Sequence, residues 1–321
     1  MLISRRDIVA GAASVCAAFG VDRPLAFIDA AVAEGSDAPF RKHQLGEYEV
    51  YSLVDGMFNV PLREGFIRNA NVEQIKTALR EDGLPDANVP IPFTAMAIKT
   101  HDRLVLIDTG TGGAPIYGPR SGQLRQSMAA AGLDPKAVDT ILISHLHGDH
   151  IYGLMDKDNT QVFPNAEIVV PAAELAWWTR QEVDSMDLGP TRKGLSQRIR
   201  ATIATWKNVR PVDGEAQLVP GIRALPAPGH SPGHTVHLLT SGSRTLLISA
   251  DTAWLPALFV RHPEWQVALD QDGPLAALTR KRIFDMAVAD KLIVAGTHWL
   301  LPNVGTLAKD GGGYAFVPLS S

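Results

Sequence analysis

A short stretch rich in metal-binding side chains, SHLHGDH at residues 144–150, most constrains what this chain can fold into. It begins where the apolar run TILIS, residues 140–144, ends, and that run predicts a buried strand. Side chains two positions apart on an extended chain point the same way, so His145 and His147 are expected to converge. The fold must therefore bring a polar centre to the end of a buried strand.

The second half of this stretch is expected to serve a neighbouring centre. Asp149 and His150 are adjacent, so an extended chain would send them to opposite sides, but Gly148 permits a bend between the two pairs. One pair then aims at one metal ion and the next pair at a second ion a few ångströms away. The only cysteine, Cys16, lies in a segment that we expect to be removed, so the ligands must be imidazole and carboxylate.

Further histidine and carboxylate groups follow apolar runs downstream. GHSPGH at 229–234 places histidines in a turn rich in Gly and Pro, ISAD at 248–251 ends in a carboxylate, and AGTH at 295–298 ends in a histidine. Together these candidate ligands are too many for a single four-coordinate zinc ion and about right for two. The sequence therefore predicts a dinuclear centre.

Predicted strands occur in runs, with helices between the runs. This order favours an α+β fold with two sheets packed face to face and helices outside, and it disfavours a simple alternating parallel sheet. The predicted strands are 46–56, 93–100, 103–110, 140–144, 166–170, 222–230, 234–242, 244–251, 292–298 and 314–318, and the predicted helices are 72–81, 121–132, 172–180, 193–206 and 275–290.

The N-terminal segment MLISRRDIVAGAASVCAAFG resembles a twin-arginine export signal, with Arg5 and Arg6 before an apolar run. We expect residues 1–33 to be this signal, residues 34–321 to be one folded domain, and the protein to be periplasmic or secreted. The alternative is an amphipathic helix that stays on the protein. The apolar run is too short and too rich in Ala and Gly for stable membrane insertion of the mature form.

Charge argues against a nucleic-acid partner. The formal net charge is −4 and the isoelectric point is about 6.2, which leaves no broad basic surface.

The motifs HLHGDH, GHSPGH, SAD and GTH, in this order and preceded by IDTG at 107–110, resemble the metallo-β-lactamase superfamily. The resemblance runs from about residue 45 to the C-terminus. It implies a four-layer αββα sandwich made of two mixed sheets, with the metal ions at one edge of the sheets.

The same resemblance implies roles for individual residues. A first metal ion is expected on three histidines, a second on another three residues, and a bridging aspartate between them, together with a bridging hydroxide that acts as the nucleophile. Asp149 is also expected to act in catalysis, by handling the proton of the leaving group. Asp108 and His230 are expected to orient ligands without binding metal. The expected ligand sets are His145, His147 and His234; Asp149, His150 and His298; and the bridge Asp251.

Longer stretches resemble the methyl parathion hydrolase and lactonase branch: YEVYSLVDG, RLVLIDTG, VFPNAEIVV, LVPGIRALPAPGHSPGHT and GGGYAFVP. This resemblance implies hydrolysis of a small hydrophobic lactone or aryl ester. The alternative is an organophosphate triester hydrolase, and a third possibility is a metal-binding protein without catalytic activity. The implied ions are two divalent cations, zinc first, with manganese, iron and cobalt as alternatives. A homodimer is expected from relatives alone.

Aromatic and apolar residues near the motifs are candidates for a substrate pocket. Acyl-homoserine lactonases typically carry a tyrosine three residues after the bridging aspartate, where this chain has Trp254. An indole can donate a hydrogen bond but cannot accept one, which favours a broader lactonase or aryl esterase. The pocket candidates are Phe58, Phe66, Trp177, Trp178, Trp254, Leu255 and Phe259.

Overall fold

Strand pairing produces two mixed sheets in the computed structural model, which describes residues 38–184 and 195–319, with seven strands in each sheet of this part. Each sheet keeps its strands in chain order. The first sheet contains β1 (Phe40–Leu45), β2 (Tyr48–Pro61), β3 (Asn88–Lys99), β4 (Leu104–Ile107), β5 (Thr140–Leu142), β6 (Glu167–Pro171) and β7 (Val209–Val212). The second contains β8 (Ala216–Val219), β9 (Ile222–Pro226), β10 (Thr235–Ser241), β11 (Arg244–Ile248), β12 (Ile293–Ala295), β13 (Val304–Asp310) and β14 (Gly313–Pro318).

Strand direction collects several strand ends at one edge of the two sheets. Strands β4 to β7 are parallel to one another, β11 is parallel to β12, and β9 runs with β11 because both are antiparallel to β10. The loops after β5 and β9 meet between the sheets, where the backbone N–H of Thr235 donates to the carbonyl of Ser144 at 3.0 Å. Loops at the carboxyl ends of such strands are a usual place for binding groups.

The helices complete the outer layers of the sandwich. They are α1 (Val72–Glu81), α2 (Leu124–Ala130), α3 (Gly148–Ile151), α4 (Ala172–Trp178), α5 (Leu195–Ile203), α6 (Pro256–Phe259) and α7 (Gly273–Ala289). No helix within residues 38–184 and 195–319 is both long and apolar enough to cross a membrane.

Three layers of buried apolar side chains hold the sandwich together. Leu142 and Ile248 belong to the layer between the sheets. Met128 of α2 belongs to the layer outside the first sheet, and Ile283 and Phe284 of α7 to the layer outside the second. Burial of such side chains is the main favourable term in folding. The predicted four-layer αββα sandwich is confirmed.

Helix α1 shows how closely periodicity can predict an element. Its observed bounds equal the predicted range 72–81, and Ile75 and Leu79 are buried as their spacing indicates. Asn71 and Gln74 form a capping box that satisfies free backbone N–H groups at the first turn.

Strand β2 runs five residues beyond its predicted end at residue 56, to Pro61. A bulge between Val54 and Gly56 interrupts the pairing with β3 and allows the strand to continue. Gly56 has a φ of +145°, and a Cβ there would lie 2.0 Å from the carbonyl oxygen of Arg120. Strands β1, β7, β8 and β13 were also not predicted. The export signal predicted for residues 1–33 lies outside the described residues and stays a prediction.

Candidate metal centre

The SHLHGDH stretch changes from strand to helix within itself. Strand β5 ends at Leu142, His147 is still extended with a ψ of 154°, and α3 begins at Gly148. This change of conformation turns Asp149 and His150 away from the direction of His145 and His147. The predicted bend at Gly148 is therefore present, in the form of a helix start.

Position 148 requires glycine because there is no room for a side chain, and not because of its backbone conformation. A Cβ there would lie 2.2 Å from the ring of Tyr152 and 2.6 Å from the hydroxyl oxygen of Tyr117. Both distances are far shorter than contacts of real Cβ atoms, so any side chain would displace a tyrosine.

Three imidazoles form a first cluster: His145, His147 and His230. Nδ1 of His147 lies 2.9 Å from Nε2 of His145 and 3.0 Å from Nε2 of His230. Oδ2 of Asp251 lies 3.2 Å from Nε2 of His230 and 4.0 Å from Nε2 of His145. Nitrogen and oxygen atoms at this spacing can share one metal ion.

A second cluster consists of Asp149, His150 and His298. Oδ1 of Asp251 lies 3.1 Å from Nε2 of His150 and 3.1 Å from Nε2 of His298. Oδ2 of Asp149 lies 3.6 Å and 3.5 Å from the same two nitrogens. Asp251 thus directs one oxygen to each cluster.

His234 does not join the first cluster, which corrects the sequence-based assignment. Its Nδ1 donates to the carbonyl of Ala227 at 3.0 Å, and its Nε2 accepts from the backbone N–H of Asp251 at 3.1 Å. Burial, helped by the charge of His230, lowers the pKa of His234 to about 3, so the ring is neutral, as this bonding requires. Both ring nitrogens are therefore used in holding the backbone, and His230, predicted only to orient ligands, takes the place beside His145.

Outer acceptors determine which ring nitrogen faces the centre. Nδ1 of His150 donates to Asp108 at 2.7 Å, Nδ1 of His230 to Asp270 at 2.9 Å, and Nδ1 of His298 to the carbonyl of Pro92 at 2.7 Å. Each acceptor keeps the ring proton on Nδ1 through a hydrogen bond and so leaves the Nε2 lone pair directed inward.

Several of these inward atoms are buried without a hydrogen bond, namely Nε2 of His150, Nε2 of His298 and Oδ1 of Asp251. Buried polar atoms are seldom left unpaired unless an ion or a water satisfies them. A set of lone pairs and carboxylate oxygens needs a cation between its members. The residues present therefore fit a pair of divalent metal ions, and histidine with carboxylate suits zinc first.

Carboxylates also make the centre favourable to positive charge. Burial acts to lower the pKa of His150, but Asp251, Asp108 and Asp149 together raise it well above its usual value. Burial is likewise overcome at His298, whose pKa is raised, mainly by Asp251. The pKa of Asp251 lies well below its usual range, against the effect of burial, because imidazoles surround it. Such a field attracts cations.

Asp108 lies where the sequence placed it, against a ligand of the second cluster. Its Oδ2 accepts from His150 and from the hydroxyl of Ser144, and its Oδ1 accepts from the Ser144 backbone N–H at 2.8 Å. It has a φ of 58°, a left-handed conformation that aspartate adopts more readily than most residues.

A cavity with mostly apolar walls opens over both clusters. Of the predicted pocket residues, Phe58 and Trp254 lie along it. Arg198 of α5 adds a guanidinium to this lining. The lining residues that the sequence did not indicate are Ile91, Phe93, Ile116, Tyr117, Leu195, Arg198 and Leu269.

The other predicted pocket residues do not line this cavity. Phe66, Leu255 and Phe259 are buried in the core outside the second sheet. Trp178 is fully buried and donates its indole N–H to Glu174 at 2.7 Å, whereas the half-buried Trp177 packs on the core outside the first sheet. Proximity along the chain does not bring these residues to the cavity, because their side chains pack into the cores outside the two sheets.

Tyr117 is a candidate functional residue that the sequence did not indicate. It ends a short turn, Pro115–Tyr117, within an irregular segment that has no periodicity to interpret. Its hydroxyl lies 3.4 Å from Oδ1 of Asp149. Burial, followed by the charge of Asp149, raises its pKa well above 10, so the hydroxyl keeps its proton.

Two joined clusters of imidazole and carboxylate at one edge of an αββα sandwich define the class of metal-dependent hydrolases with paired ions. Residues 92–298 match the metallo-beta-lactamase superfamily, and the chain belongs to that superfamily. The matched range contains every residue of both clusters.

Lactonases are prominent among its relatives. The N-acyl homoserine lactonase of Bacillus cereus is 25% identical over 227 residues, which cover 65% of this chain and 81% of that protein. The dizinc quorum-quenching lactonase AidC, solved in complex with a product, superimposes with a TM-score of 0.83 at 27% identity, covering 89% of this chain and 99% of that chain. The hydrolase AbOPH superimposes with a TM-score of 0.81 at 23% identity over 89% and 99% of the two chains, which shows the shared fold alone.

Proposed function

We propose that this protein hydrolyses lactones and aryl esters at a pair of divalent metal ions, with lactones that carry an apolar group as the preferred class. The observation that carries the proposal is that Asp251 offers one oxygen to each of two ligand clusters at the floor of an apolar cavity. Relatives named as N-acyl homoserine lactonases support a lactone over other substrates of the superfamily.

The ligand sets follow from the two clusters. His145, His147 and His230 hold the first ion, and the second cluster (Asp149, His150 and His298) holds the second, with Asp251 between them. When bound, such ions lower the pKa of a shared water and polarise the reacting oxygen of the substrate. Zinc is the proposed metal, and manganese, iron and cobalt are the alternatives to be separated by elemental analysis.

Asp149 is placed to handle a proton. Its Oδ2 faces the second cluster, and its Oδ1 faces the hydroxyl of Tyr117 on the cavity wall. A carboxylate oxygen on the substrate side can receive a proton and pass it to the leaving alkoxide.

Tyr117 is the proposed donor to the substrate oxygen. Its hydroxyl keeps its proton and lies on the cavity wall beside Asp149. A donor aimed at a carbonyl or alkoxide oxygen stabilises the charge that develops there.

The cavity walls limit the group attached to the reacting carbon. Phe58, Phe93 and Trp254 supply aromatic faces, while Ile91 and Ile116 supply aliphatic ones. Such walls favour acyl chains and aryl groups over charged substrates.

A substrate panel tests the proposal. Zinc-loaded protein would be assayed with N-hexanoyl homoserine lactone, dihydrocoumarin, p-nitrophenyl acetate, paraoxon and nitrocefin. We expect kcat/KM of about 10⁴ M⁻¹s⁻¹ or more for at least one lactone, within the ordinary enzyme range. Turnover of nitrocefin alone would overturn the assignment. The matched control is Asp251→Asn, which keeps the size of the side chain and should lose the activity.

Hydrolysis of organophosphate triesters is the second candidate. The aromatic faces of Phe58, Phe93 and Tyr117 would suit an aryl leaving group on phosphorus as well as on carbon. Paraoxon turnover above that of every lactone would favour this candidate. A metal-loaded protein that turns over nothing in the panel would favour the third, a binding protein without catalysis.

We also propose export through the twin-arginine signal, on the basis of Arg5 and Arg6. Cell fractionation of the wild type and of an Arg5→Lys, Arg6→Lys variant tests it, and equal periplasmic amounts would contradict it. Homodimerisation, expected from relatives, is tested by light scattering on the purified protein.

A further inference from the structure

Glu174 is a buried carboxylate beside the first cluster. It does not line the substrate cavity. It lies in α4 and is 0% exposed. An ionised carboxylate in such a place costs free energy unless hydrogen bonds compensate it. Its presence there therefore calls for a physical reason.

Four donors converge on this carboxylate. Oε1 accepts from the backbone N–H of Leu146 at 3.1 Å and from the indole of Trp178 at 2.7 Å. Oε2 accepts from the hydroxyl of Ser231 and from the backbone N–H of Gly233, each at 2.8 Å. Burial raises the pKa of Glu174, and these hydrogen bonds act in the opposite direction.

The partners of Glu174 belong to the two loops that carry the first cluster. Leu146 lies between His145 and His147, and Ser231 directly follows His230. One carboxylate therefore spans the loop after β5, in the first sheet, and the loop after β9, in the second sheet.

Close packing confirms that the loop after β9 contacts α4. A Cβ at Gly233 would lie 2.2 Å from the backbone nitrogen of Glu174. On the other side, the ring of Trp178 contacts His147 edge-on, with centroids 5.7 Å apart. The helix thus touches both loops at the level of the first cluster.

We propose that Glu174 is a positioning residue of the first metal site, which sets the distance between the His145–His147 loop and His230. This inference rests on the proposed metal centre but not on its substrate. Glu174 contacts none of the three ligating nitrogens, so it acts through the loops that carry them, by way of two backbone N–H groups and the Ser231 hydroxyl. Outer contacts of this kind typically change metal affinity by about 10–100-fold.

Glu174→Gln is the main test. The amide keeps the shape of the side chain, but its NH₂ group faces two donors and leaves them unpaired. Zinc titration of the full-length protein against a competing chelator should show a loss of about 10–100-fold in affinity at one site, with less than about threefold change at the other. Cobalt substitution then assigns the weakened site through its visible absorption spectrum.

Two further variants keep the test decisive if Glu174→Gln folds poorly. Ser231→Ala removes a single bond to the carboxylate from the ligand loop and should weaken the same site by a smaller factor. Trp178→Phe removes a hydrogen bond to Glu174 that comes from α4 itself and keeps an aromatic ring beside His147, so it should lower thermal stability with less effect on metal affinity.

Equal weakening of both sites, or unchanged affinity in a destabilised protein, would assign Glu174 to general stability and overturn the proposal. Because the titration uses metal alone, inactivity toward every lactone would refute the proposed function and leave this result unaffected.

Discussion

Nε1 of Trp254 donates a 2.9 Å hydrogen bond to Oδ2 of Asp251, three residues earlier in the chain. This oxygen is the one that faces the first cluster, 3.2 Å from Nε2 of His230. The same indole packs edge-on against His298 of the second cluster, with centroids 5.3 Å apart. Trp254 therefore orients the carboxylate that joins the clusters. Its only donor is used within the protein and is not available to hold a substrate oxygen.

Trp254→Tyr should raise kcat/KM for N-hexanoyl homoserine lactone by about threefold or more, because a phenol hydroxyl can donate a hydrogen bond to a lactone oxygen, whereas the indole N–H already donates to Asp251. Steady-state kinetics with this lactone and with dihydrocoumarin measures the effect. Trp254→Phe, which has no polar group, is the control and should lower both values. A tyrosine variant no better than the phenylalanine variant would contradict the interpretation of this position.

Asp251→Asn should lower the metal content of the centre. Its two oxygens are divided between the clusters, and an amide nitrogen cannot replace a ligating oxygen. We expect elemental analysis to show fewer than two ions per chain. Activity should fall by a larger factor than the loss of about 10–100-fold that is typical when an outer contact is removed. Full metal content with full activity would exclude a bridging role.

His230→Ala and His234→Ala form a matched pair that tests the corrected ligand assignment. The first should lose one metal ion and most activity, because Nε2 of His230 belongs to the first cluster. The second should keep two ions and lose about 1–3 kcal/mol of stability, because it leaves the carbonyl of Ala227 and the N–H of Asp251 unpaired. Elemental analysis and thermal unfolding distinguish them, and the reverse pattern would restore the original assignment of His234.

Tyr117→Phe should leave metal content unchanged and lower kcat for lactones by about 10–100-fold, if its hydroxyl stabilises developing charge. The supporting contact is its position 3.4 Å from Oδ1 of Asp149 on the cavity wall. Tyr152→Phe is the control, because Tyr152 lies nearby, with ring centroids 6.3 Å apart, but is not part of the cavity lining. Equal losses in both variants would point to packing instead.

Local periodicity was enough to predict most of the framework. Apolar runs indicated the strands that lead into the centre, and α1 was predicted to the residue because its apolar spacing and cap coincide. Strand β2 was predicted too short, because the bulge at Val54–Gly56, where Gly56 passes close to the backbone of Arg120, leaves no periodic signal. The pocket was predicted poorly, because adjacent aromatic residues such as Trp177 and Trp178 differ in burial only after the helix has packed.

The third imidazole of the first cluster shows where sequence reasoning ends. GHSPGH offers two histidines after the same strand, and their spacing does not favour one over the other. The structure places Gly229, with a φ of +130°, so close to α7 that a Cβ would lie 2.3 Å from the backbone nitrogen of Ala276. This contact brings His230 to Asp270, a partner 40 residues away whose stretch has no recognisable motif.

The sequence by itself determined which side chains could bind metal and that they follow strands, because alternation and chain order are local properties. Tertiary structure decided which of them share an ion. That choice depends on how loops from two sheets pack against α4 and α7. Glu174 of α4 accepts hydrogen bonds from both loops, and Asp270, which precedes α7, accepts one from the ring of His230. Contacts between residues far apart in the chain set these directions, and spacing along the chain carries no record of them.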